Sequence, residues 1–288
     1  MDSPGTVMER SNRLSRGGAW VVALGVLCLL PGVARAEQCK GQPALQGAPI
    51  ALTLGPADFG ATPPTCVSTG VALEGRGTAL IDTPDFYGAL SAEAVLAGSF
   101  ALGEATWVSA AVNVLRYRFV QNASVVGTHL GVGPTSVGLH RVMLRGERWR
   151  VAPYARLLLP TETGRNFSVQ LGLEPGASAS FEPLPGLSLG GGLSLPVTVV
   201  VLGERTLWQL APRASLDAAY APWRWLELAV GAELRLALEG GGLDFVAPKV
   251  AVRLYPWRTL HVQLAGMMPL VGLERTDFRG SLGLGASW

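Results

Sequence analysis

The chain has 288 residues, of which 49% are hydrophobic and only 15% are charged. Soluble domains carry about a quarter charged residues, so this composition argues against an ordinary soluble domain. Lys and Arg number 23 and Asp and Glu 21, and segment 1–36 accounts for the excess, which leaves 19 of each in the rest. A formally neutral remainder offers no electrostatic basis for binding nucleic acid.

The first 36 residues are predicted to be a secretory signal peptide. Three arginines precede an apolar run over 19–30, and Ala34-Arg35-Ala36 is a small-x-small cleavage site. The apolar run is too short to span a bilayer, which disfavours the alternative of a retained anchor. The mature chain is expected to begin at Glu37. No later stretch reaches the roughly 18 apolar residues of a transmembrane helix.

Residues 37–66 are predicted to be a periplasmic leader rich in proline and glycine, which is a composition that builds no core. Its two cysteines, Cys39 and Cys66, are the only ones left after cleavage. An even number of cysteines in an exported protein predicts a disulfide between them. The alternative is two unpaired thiols.

Most of the remaining chain alternates between apolar and polar residues with the period of two that marks β-strands. Tilted strands of about 11 residues cross a lipid band of about 25 Å. We therefore predict that residues 67–288 form an all-β domain, a transmembrane antiparallel up-and-down β-barrel. The barrel is predicted to have about twelve strands, an even number, as bacterial single-chain barrels require. A barrel of ten strands, with 67–101 partly irregular, is the alternative. The predicted strands are 67–80, 86–101, 106–119, 135–144, 149–159, 167–180, 187–201, 208–221, 225–238, 245–255, 259–270 and 278–288.

The predicted connections alternate between short and long. Barrels of this kind have short periplasmic turns and longer outer loops. The short turns are 103–105, 145–148, 182–186, 222–224 and 256–258, and the longer loops are 120–134, 160–166, 202–207, 239–244 and 271–277. Tryptophan clusters at the short turns and at the chain end, which predicts a membrane-interface belt on that side. Its predicted members are Trp107, Trp149, Trp223, Trp225, Trp257 and Trp288.

Strand 225–238 shows two different faces most clearly. Alternate positions from Leu226 to Leu238 are apolar, whereas Glu227, Glu233 and Arg235 lie on the other face. A charge buried without a partner or water costs several kcal/mol, so the charged face is expected to line a lumen. The predicted lumen-lining residues are Glu93, Arg150, Arg156, Glu174, Arg213, Asp217, Glu227, Glu233, Arg235, Lys249, Arg253, His261 and Arg279.

Seven of these residues are basic and five acidic, which leaves two interpretations open. Mixed charges that pair across a narrow lumen would hold the barrel's shape, whereas an open passage would slightly prefer anions. The alternation is less regular in strand 106–119, where Arg116 and Arg118 share the face of valines; we attribute this to a position near the outer rim. In the next strand His140 and Arg141 cannot both be luminal, so its register stays open.

The sequence contains no recognisable catalytic or metal-binding constellation. Its three histidines, His129, His140 and His261, are scattered, and no Cys-x-x-Cys or His-x-x-x-His pair exists, which argues against a zinc site. Ser136 and His140 share a face but lie about 13 Å apart along a strand, too far for a Ser–His pair. The chain is not expected to be an enzyme, and neither a metal nor a cofactor is predicted.

Two segments resemble a hairpin of a known family. They are Gly133-Pro-Thr-Ser-Val-Gly-Leu-His-Arg-Val-Met-Leu144 and Ala152-Pro-Tyr-Ala-Arg-Leu-Leu-Leu-Pro-Thr-Glu-Thr-Gly164. They are similar to the outer-membrane transporter-like β-barrel family associated with meta-pathway phenol degradation. Pro134 replaces that family's usual acidic residue, and Glu162-Thr163 is inserted before Gly164. The resemblance implies an uptake channel for small, often hydrophobic compounds, and it supplies no catalytic residues.

The sequence therefore predicts a bacterial outer-membrane channel for the passive or facilitated passage of small molecules. The alternative is a closed structural or surface-interaction barrel without transport, which the short and polar loops disfavour. The expected partners are outer-membrane lipid, an unidentified small solute, and the barrel-assembly machinery, which would engage the C-terminal strand ending in Trp288. No nucleic-acid partner is expected.

Overall fold

A computed structural model describes residues 65, 67, 69–82, 87–121, 126–161, 169–202, 205–238, 242–257, 260–268, 270 and 278–287. The predicted signal peptide, Cys39, Cys66 and Trp288 lie outside these residues. Among the described residues, no helix has the length and apolar character needed to cross a membrane.

The described chain is built from β-strands that pair with their neighbours in antiparallel fashion. Their bounds follow the predicted strands closely, usually within three residues. The strands are β1 (Gly70–Asp82), β2 (Tyr87–Ala101), β3 (Thr106–Gln121), β4 (Val126–Gly131), β5 (Thr135–Arg141), β6 (Leu144–Arg145), β7 (Trp149–Leu159), β8 (Val169–Leu184), β9 (Leu187–Ser194), β10 (Val197–Leu202), β11 (Arg205–Leu210), β12 (Arg213–Trp223), β13 (Leu226–Ala237), β14 (Gly242–Leu254), β15 (Leu260–Met267) and β16 (Phe278–Ser287).

Twelve of these strands close into a ring. Its order is β1-β2-β3-β5-β7-β8-β9-β12-β13-β14-β15-β16, and β16 pairs with β1. The other four strands prolong ring strands along the same wall: β4 and β6 prolong β5, β10 prolongs β9, and β11 prolongs β12. The prediction of a twelve-stranded antiparallel barrel is confirmed, and the ten-strand alternative is wrong.

Proline marks three of the points where a wall strand is interrupted. Pro134 lies between β4 and β5, Pro196 between β9 and β10, and Pro212 between β11 and β12. Proline has no N–H to give to the ladder, which ends regular pairing there. Its carbonyl still accepts: the amides of Ala211 and Leu236 donate to Pro196 and Pro212 at 3.1 and 2.9 Å. The wall is therefore interrupted without losing all of its hydrogen bonds.

Three predicted long loops are shorter in the structure because strands extend into them. Segment 120–134 contains the end of β3 and all of β4, which pair from Arg116 to Gln121. Segments 202–207 and 239–244 likewise contain the facing ends of β10 and β11 and the start of β14. Glycine and polar residues hide the strand pattern in these segments, whereas pairing with an already extended neighbour supplies the ladder.

The outer face of the barrel is apolar and the inner face is polar. Burial alternates along β12, where Arg213 and Asp217 are buried and Leu216 is 73% exposed. On β13, Val230 is 58% exposed between buried Ala229 and a half-buried glycine. Among the described residues, buried polar and charged side chains outnumber buried apolar ones. Such an inversion suits a wall that faces lipid.

A β-bulge explains the irregular pattern of β3. The β2–β3 register shifts beside Val95, and Val114 has no partner across this ladder. One extra residue reverses the face that later residues occupy. Asn113 is therefore buried before the bulge, and Arg116 lies 2.9 Å from Glu93 after it. Our sequence interpretation of Arg116 was wrong, because Arg116 does not share the exposed face of Val114. The bulge, rather than a position near the rim, causes the irregular alternation of β3.

Candidate functional site

Most of the predicted lumen-lining side chains are buried, on the face opposite to the exposed leucines and valines. Arg150 and His261 are half-buried, and the side chain of Arg279 lies outside the described residues. The buried members are Glu93, Arg156, Glu174, Arg213, Asp217, Glu227, Glu233, Arg235, Lys249 and Arg253. The wall strands thus gather charge on the inner face of the barrel.

Strands β12, β13 and β14 carry ion pairs between their inner faces. Lys249 Nζ lies 2.6 Å from Asp217 Oδ1, and Arg213 Nε lies 3.2 Å from Glu233 Oε1. Gly231 stands between Lys249 and Asp217 in the register. A Cβ at Gly231 would lie within 3 Å of both side chains, so the glycine lets this pair meet across β13.

A second network joins β13, β14 and β15. Arg253 Nη1 lies 3.9 Å from Glu227 Oε1, and Arg253 Nη2 donates to Gln263 Oε1 at 2.5 Å. The Tyr255 hydroxyl donates to Glu227 Oε2 at 3.2 Å and accepts from Arg253 Nη1 at the same distance. Arg253 therefore keeps two neutral partners in addition to its carboxylate.

The third network lies on β7 and β8. Arg156 Nη2 is 2.5 Å from Glu174 Oε2, and the Tyr154 hydroxyl donates to Glu174 Oε1 at 3.3 Å. The Arg156 guanidinium also lies 5.3 Å from the centre of the Tyr154 ring. Glu174 has no exposed surface, so among the described residues it is the most enclosed carboxylate of the inner face.

Strand β1 contributes two inner charges that we did not predict. Glu74 and Arg76 are buried and lie 3.3 Å apart, and Arg76 is opposite Glu93 in the β1–β2 register. Their spacing of two was a usable signal. It was obscured because Gly75 and Gly77 occupy the outer face, which leaves that strand without a clear apolar stripe.

The buried charges of the described residues are balanced. Six are acidic and six are basic, and each of the six carboxylates has a basic partner within 4.0 Å. The basic members are Arg76, Arg156, Arg213, Arg235, Lys249 and Arg253. This arrangement supports the interpretation in which mixed charges pair along the wall, and it weakens the argument for an anion preference.

An aromatic cluster settles the register of β5. His140 is buried and Arg141 is exposed, so His140 is the inward residue. The Trp107 ring stacks on His140 with centroids 4.9 Å apart, and Ser109 Oγ lies 2.7 Å from His140 Nε2. Trp107 is only 1% exposed. Its assignment to the interfacial belt is corrected, because odd positions of β3 before the bulge face inward.

The Ser109–His140 pair joins neighbouring strands, so a search along single strands could not find it. Among the described residues the other ring nitrogen of His140, Nδ1, has no hydrogen-bond partner, and a Ser–His nucleophile needs a third group that orients the base. No group of three His, Cys, Asp or Glu residues able to hold a metal occurs in the described part of the chain. We assign no reaction to this cluster.

Three residues that precede β1, here called the strap (Thr65, Val67 and Thr69), are buried. Thr65 Oγ1 lies 2.7 Å from the hydroxyl oxygen of Ser180 on β8, and Val67 packs in a cluster with Trp107 and Ala152. Thr69 Oγ1 accepts a hydrogen bond from the Ala101 amide at 3.1 Å. Because four ring strands separate β1 from β8, the strap crosses the barrel interior near the short turns.

The remaining described tryptophans of the predicted belt are exposed. Trp149, Trp223, Trp225 and Trp257 expose 45–66% of their surface, and all four lie at or beside short turns. Trp223 and Trp225 stack with ring centroids 5.4 Å apart. An exposed aromatic girdle at one end of the wall is typical of barrels in a membrane.

A closed antiparallel barrel with an apolar outer face and a charged inner face defines the architecture of outer-membrane β-barrel proteins. Solved structures share this fold. An outer membrane channel from Pseudomonas putida F1 aligns with a TM-score of 0.56 and 14% identity over 82% of this chain and 100% of that chain. The beta domain of the Bordetella autotransporter BrkA aligns with a TM-score of 0.53 and 9% identity, over 77% of this chain and 100% of that chain.

The NanC porin aligns with a TM-score of 0.50 and 11% identity, over 76% of this chain and 98% of that chain. At such identities the likeness establishes the fold. No protein-family model and no curated protein sequence matches the chain.

Proposed function

We propose that this protein is an outer-membrane channel for the passive or facilitated passage of small molecules. The observation that carries the proposal is the inner face, where buried charges on seven of the twelve ring strands surround a common interior inside an apolar shell. Charges removed from lipid in this way are stable when they are paired and in contact with water. Two structural neighbours named as a channel and a porin lend the proposal further support.

The pairing of the inner charges bears on which solutes would pass. Rings of one charge sign make a pore selective for ions of the other sign. Here carboxylates and basic groups alternate at contact distance, so the passage would discriminate weakly between small anions and cations. The hairpin resemblance adds the finer proposal of small, often hydrophobic solutes, as in the phenol-degradation family.

The strap favours a second candidate, a closed structural or surface-interaction barrel. Thr65 and Val67 occupy the interior near the short turns, and hydrogen bonds hold the strap to β2 and β8. A strap that stays in place would restrict passage at that end. The two candidates therefore differ in whether the strap leaves the interior.

Single-channel conductance of the refolded mature chain in planar bilayers separates the two candidates. We expect brief or small openings in the unmodified chain, and larger or longer ones when Thr65→Ala and Val67→Ala remove the strap's contacts. Ser180→Ala removes the same hydrogen bond from the wall side and should act in the same direction. Ser178→Ala is the matched control, because Ser178 donates to the Ala152 carbonyl and not to the strap. Absence of conductance in folded wild type and in both strap variants would refute the channel and favour the closed barrel.

We also propose that segment 1–36 is removed as a signal peptide, that 37–66 is a periplasmic leader closed by a Cys39–Cys66 disulfide, and that the assembly machinery recognises the C-terminal strand. These features rest on the sequence patterns alone. Non-reducing mass spectrometry of the mature protein should show an N-terminus at Glu37 and a mass two hydrogens below the reduced form. Two free thiols, in protein from a strain with intact periplasmic oxidation, would refute the disulfide.

A further inference from the structure

A groove of about 330 Å³ opens at the short-turn end of the barrel surface. It lies between the turn that joins β8 to β9 and the turn that joins β12 to β13. Its lining includes Glu182, Leu187, Trp223 and Arg224. None of its lining residues belongs to the buried charges of the inner face, so the proposed channel makes no use of it.

Two irregular hairpins build this groove side by side. The β8–β9 register shifts between Phe181 and Leu184, and the β12–β13 register shifts between Tyr220 and Trp223. Each shift contains a proline, which cannot donate to the ladder. The turn residue Gly186 has φ = 79° and accepts a hydrogen bond from the Ala221 amide at 2.8 Å. Bulges at a barrel rim redirect side chains, and here they turn one acid and one base toward a common space.

The two charged side chains of the groove are unengaged. Arg224 is exposed and Glu182 is half-buried, and within the described residues neither side chain has a hydrogen bond or an ion pair. The neighbouring Arg148 is already occupied, because its Nη1 donates to the Pro183 carbonyl at 3.3 Å. Within the part of the chain that the structure describes, the groove therefore offers one free guanidinium and one free carboxylate.

The surroundings of the groove are those of a membrane interface. Trp223 and Trp225 expose more than half of their surface as a stacked pair, and Leu184 and Leu216 are 63% and 73% exposed on the adjoining wall. Tryptophan concentrates at the level of lipid headgroups. An apolar wall next to one acidic and one basic side chain suits a ligand with an acyl chain and a headgroup that carries both signs.

We propose that this groove binds a phospholipid whose headgroup carries a phosphate and a primary ammonium, as in phosphatidylethanolamine. The Arg224 guanidinium presents a fork of N–H donors that matches a phosphate. An ammonium group has three N–H donors for the Glu182 carboxylate, whereas a choline headgroup has none and a glycerol headgroup has no positive charge. The inference rests on the proposed membrane location and is independent of whether the barrel conducts.

Native mass spectrometry of the detergent-solubilised mature protein tests the site, with phosphatidylethanolamine, phosphatidylcholine and phosphatidylglycerol added at equal concentration. Wild type should retain phosphatidylethanolamine best. Glu182→Gln should reduce its retention about tenfold, to the level of phosphatidylcholine. Arg224→Ser should reduce the retention of the two zwitterionic lipids, phosphatidylethanolamine and phosphatidylcholine, together. Glu104→Gln is the matched control, because Glu104 is an exposed carboxylate at another short turn, and it should leave retention unchanged.

Equal retention of the three lipids by wild type would overturn the proposal, as would an equal loss in Glu104→Gln and Glu182→Gln. Stronger retention of phosphatidylglycerol, lost only in Arg224→Ser, would show a simple anion site instead. Trp223→Leu supplies an independent test, because it should reduce the retention of all three lipids alike. Trp257→Leu, at another short turn, should leave their retention unchanged. Because conductance is a separate readout, failure here leaves the channel proposal standing, and the reverse also holds.

Discussion

The barrel has a regular side and an interrupted side. On the regular side, β12 to β15, inner and outer residues alternate through the middle of each strand, and inner charges pair with those of the next strand or, across Gly231, of the strand beyond it. On the interrupted side, β2 to β8, a bulge, a proline break and the strap intervene. The inner face there holds an aromatic cluster as well as charges.

The difference shows what the two-residue period can specify. It assigns faces correctly as long as the ladder is unbroken, because one residue of slip exchanges the faces. Where a bulge adds a residue, the same rule gives the wrong face to everything that follows. The interrupted side also depends on contacts between distant segments, such as Thr65 with Ser180.

The largest effect is expected from removing an enclosed carboxylate on the interrupted side. Glu174→Leu removes a fully buried carboxylate that lies 2.5 Å from Arg156 and accepts a hydrogen bond from Tyr154. Breaking a buried pair in this way costs about 3–5 kcal/mol. Glu227→Leu on the regular side should cost about 1–3 kcal/mol, because Arg253 keeps Gln263 and Tyr255. Urea unfolding in lipid vesicles measures the free energy of unfolding of both variants. An equal loss in the two would remove the distinction between the two sides.

A charge on the outer face of the regular side should come next. Val230 lies in the middle of β13, and its side chain is 58% exposed on the apolar wall. Val230→Arg should lower the free energy of unfolding by about 2–4 kcal/mol, whereas Trp223→Arg at the rim should cost about 0–1 kcal/mol. The same vesicle experiment applies. A Val230→Arg variant as stable as wild type would mean that the face does not meet lipid.

A third prediction tests how closely the inner side chains of the regular side pack against Gly231. In Gly231→Ala the new Cβ would approach Asp217 Oδ1 and the Leu216 carbonyl far below contact distance, and it would press on the Lys249–Asp217 pair. Overpacking of this kind costs about 1–3 kcal/mol. Gly103→Ala is the matched control, since a Cβ there meets nothing within 4 Å. If both variants unfolded at the same urea concentration, the close packing of the Lys249–Asp217 pair against Gly231 would be disproved.

The smallest effect concerns ion selectivity, and it depends on conductance. Glu233→Gln keeps the shape of the side chain but removes the carboxylate that lies 3.2 Å from Arg213, which is opposite Arg235 in the register. Fixed positive charge favours anions. The reversal potential in a salt gradient should shift toward the anion equilibrium value while the fold stays intact. An unchanged potential in a conducting channel would place Glu233 away from the ion path.

Much of the fold was predictable because the barrel wall obeys local rules. The strand count, the exposed face of Val230 and the buried charges of β12 to β14 all follow from alternation and length. Glu74 and Arg76 escaped prediction because glycines replace the apolar stripe of β1. Trp107 was misplaced because tryptophan suits both a rim and an interior, and only the register of β3 decides between them. The ion pairs and the strap needed neighbour relations that a single strand does not contain.

One face of each wall strand meets lipid, and the other encloses the charged interior. Cysteines placed singly at Glu227, Leu228, Ala229 and Val230, in a chain whose native cysteines are serines, can carry a small fluorophore, and brominated lipids quench it on contact. We expect strong quenching at Leu228 and Val230 and weak quenching at Glu227 and Ala229, following their alternating exposure. Equal quenching at all four positions, or the reverse order, would contradict this assignment of the two faces.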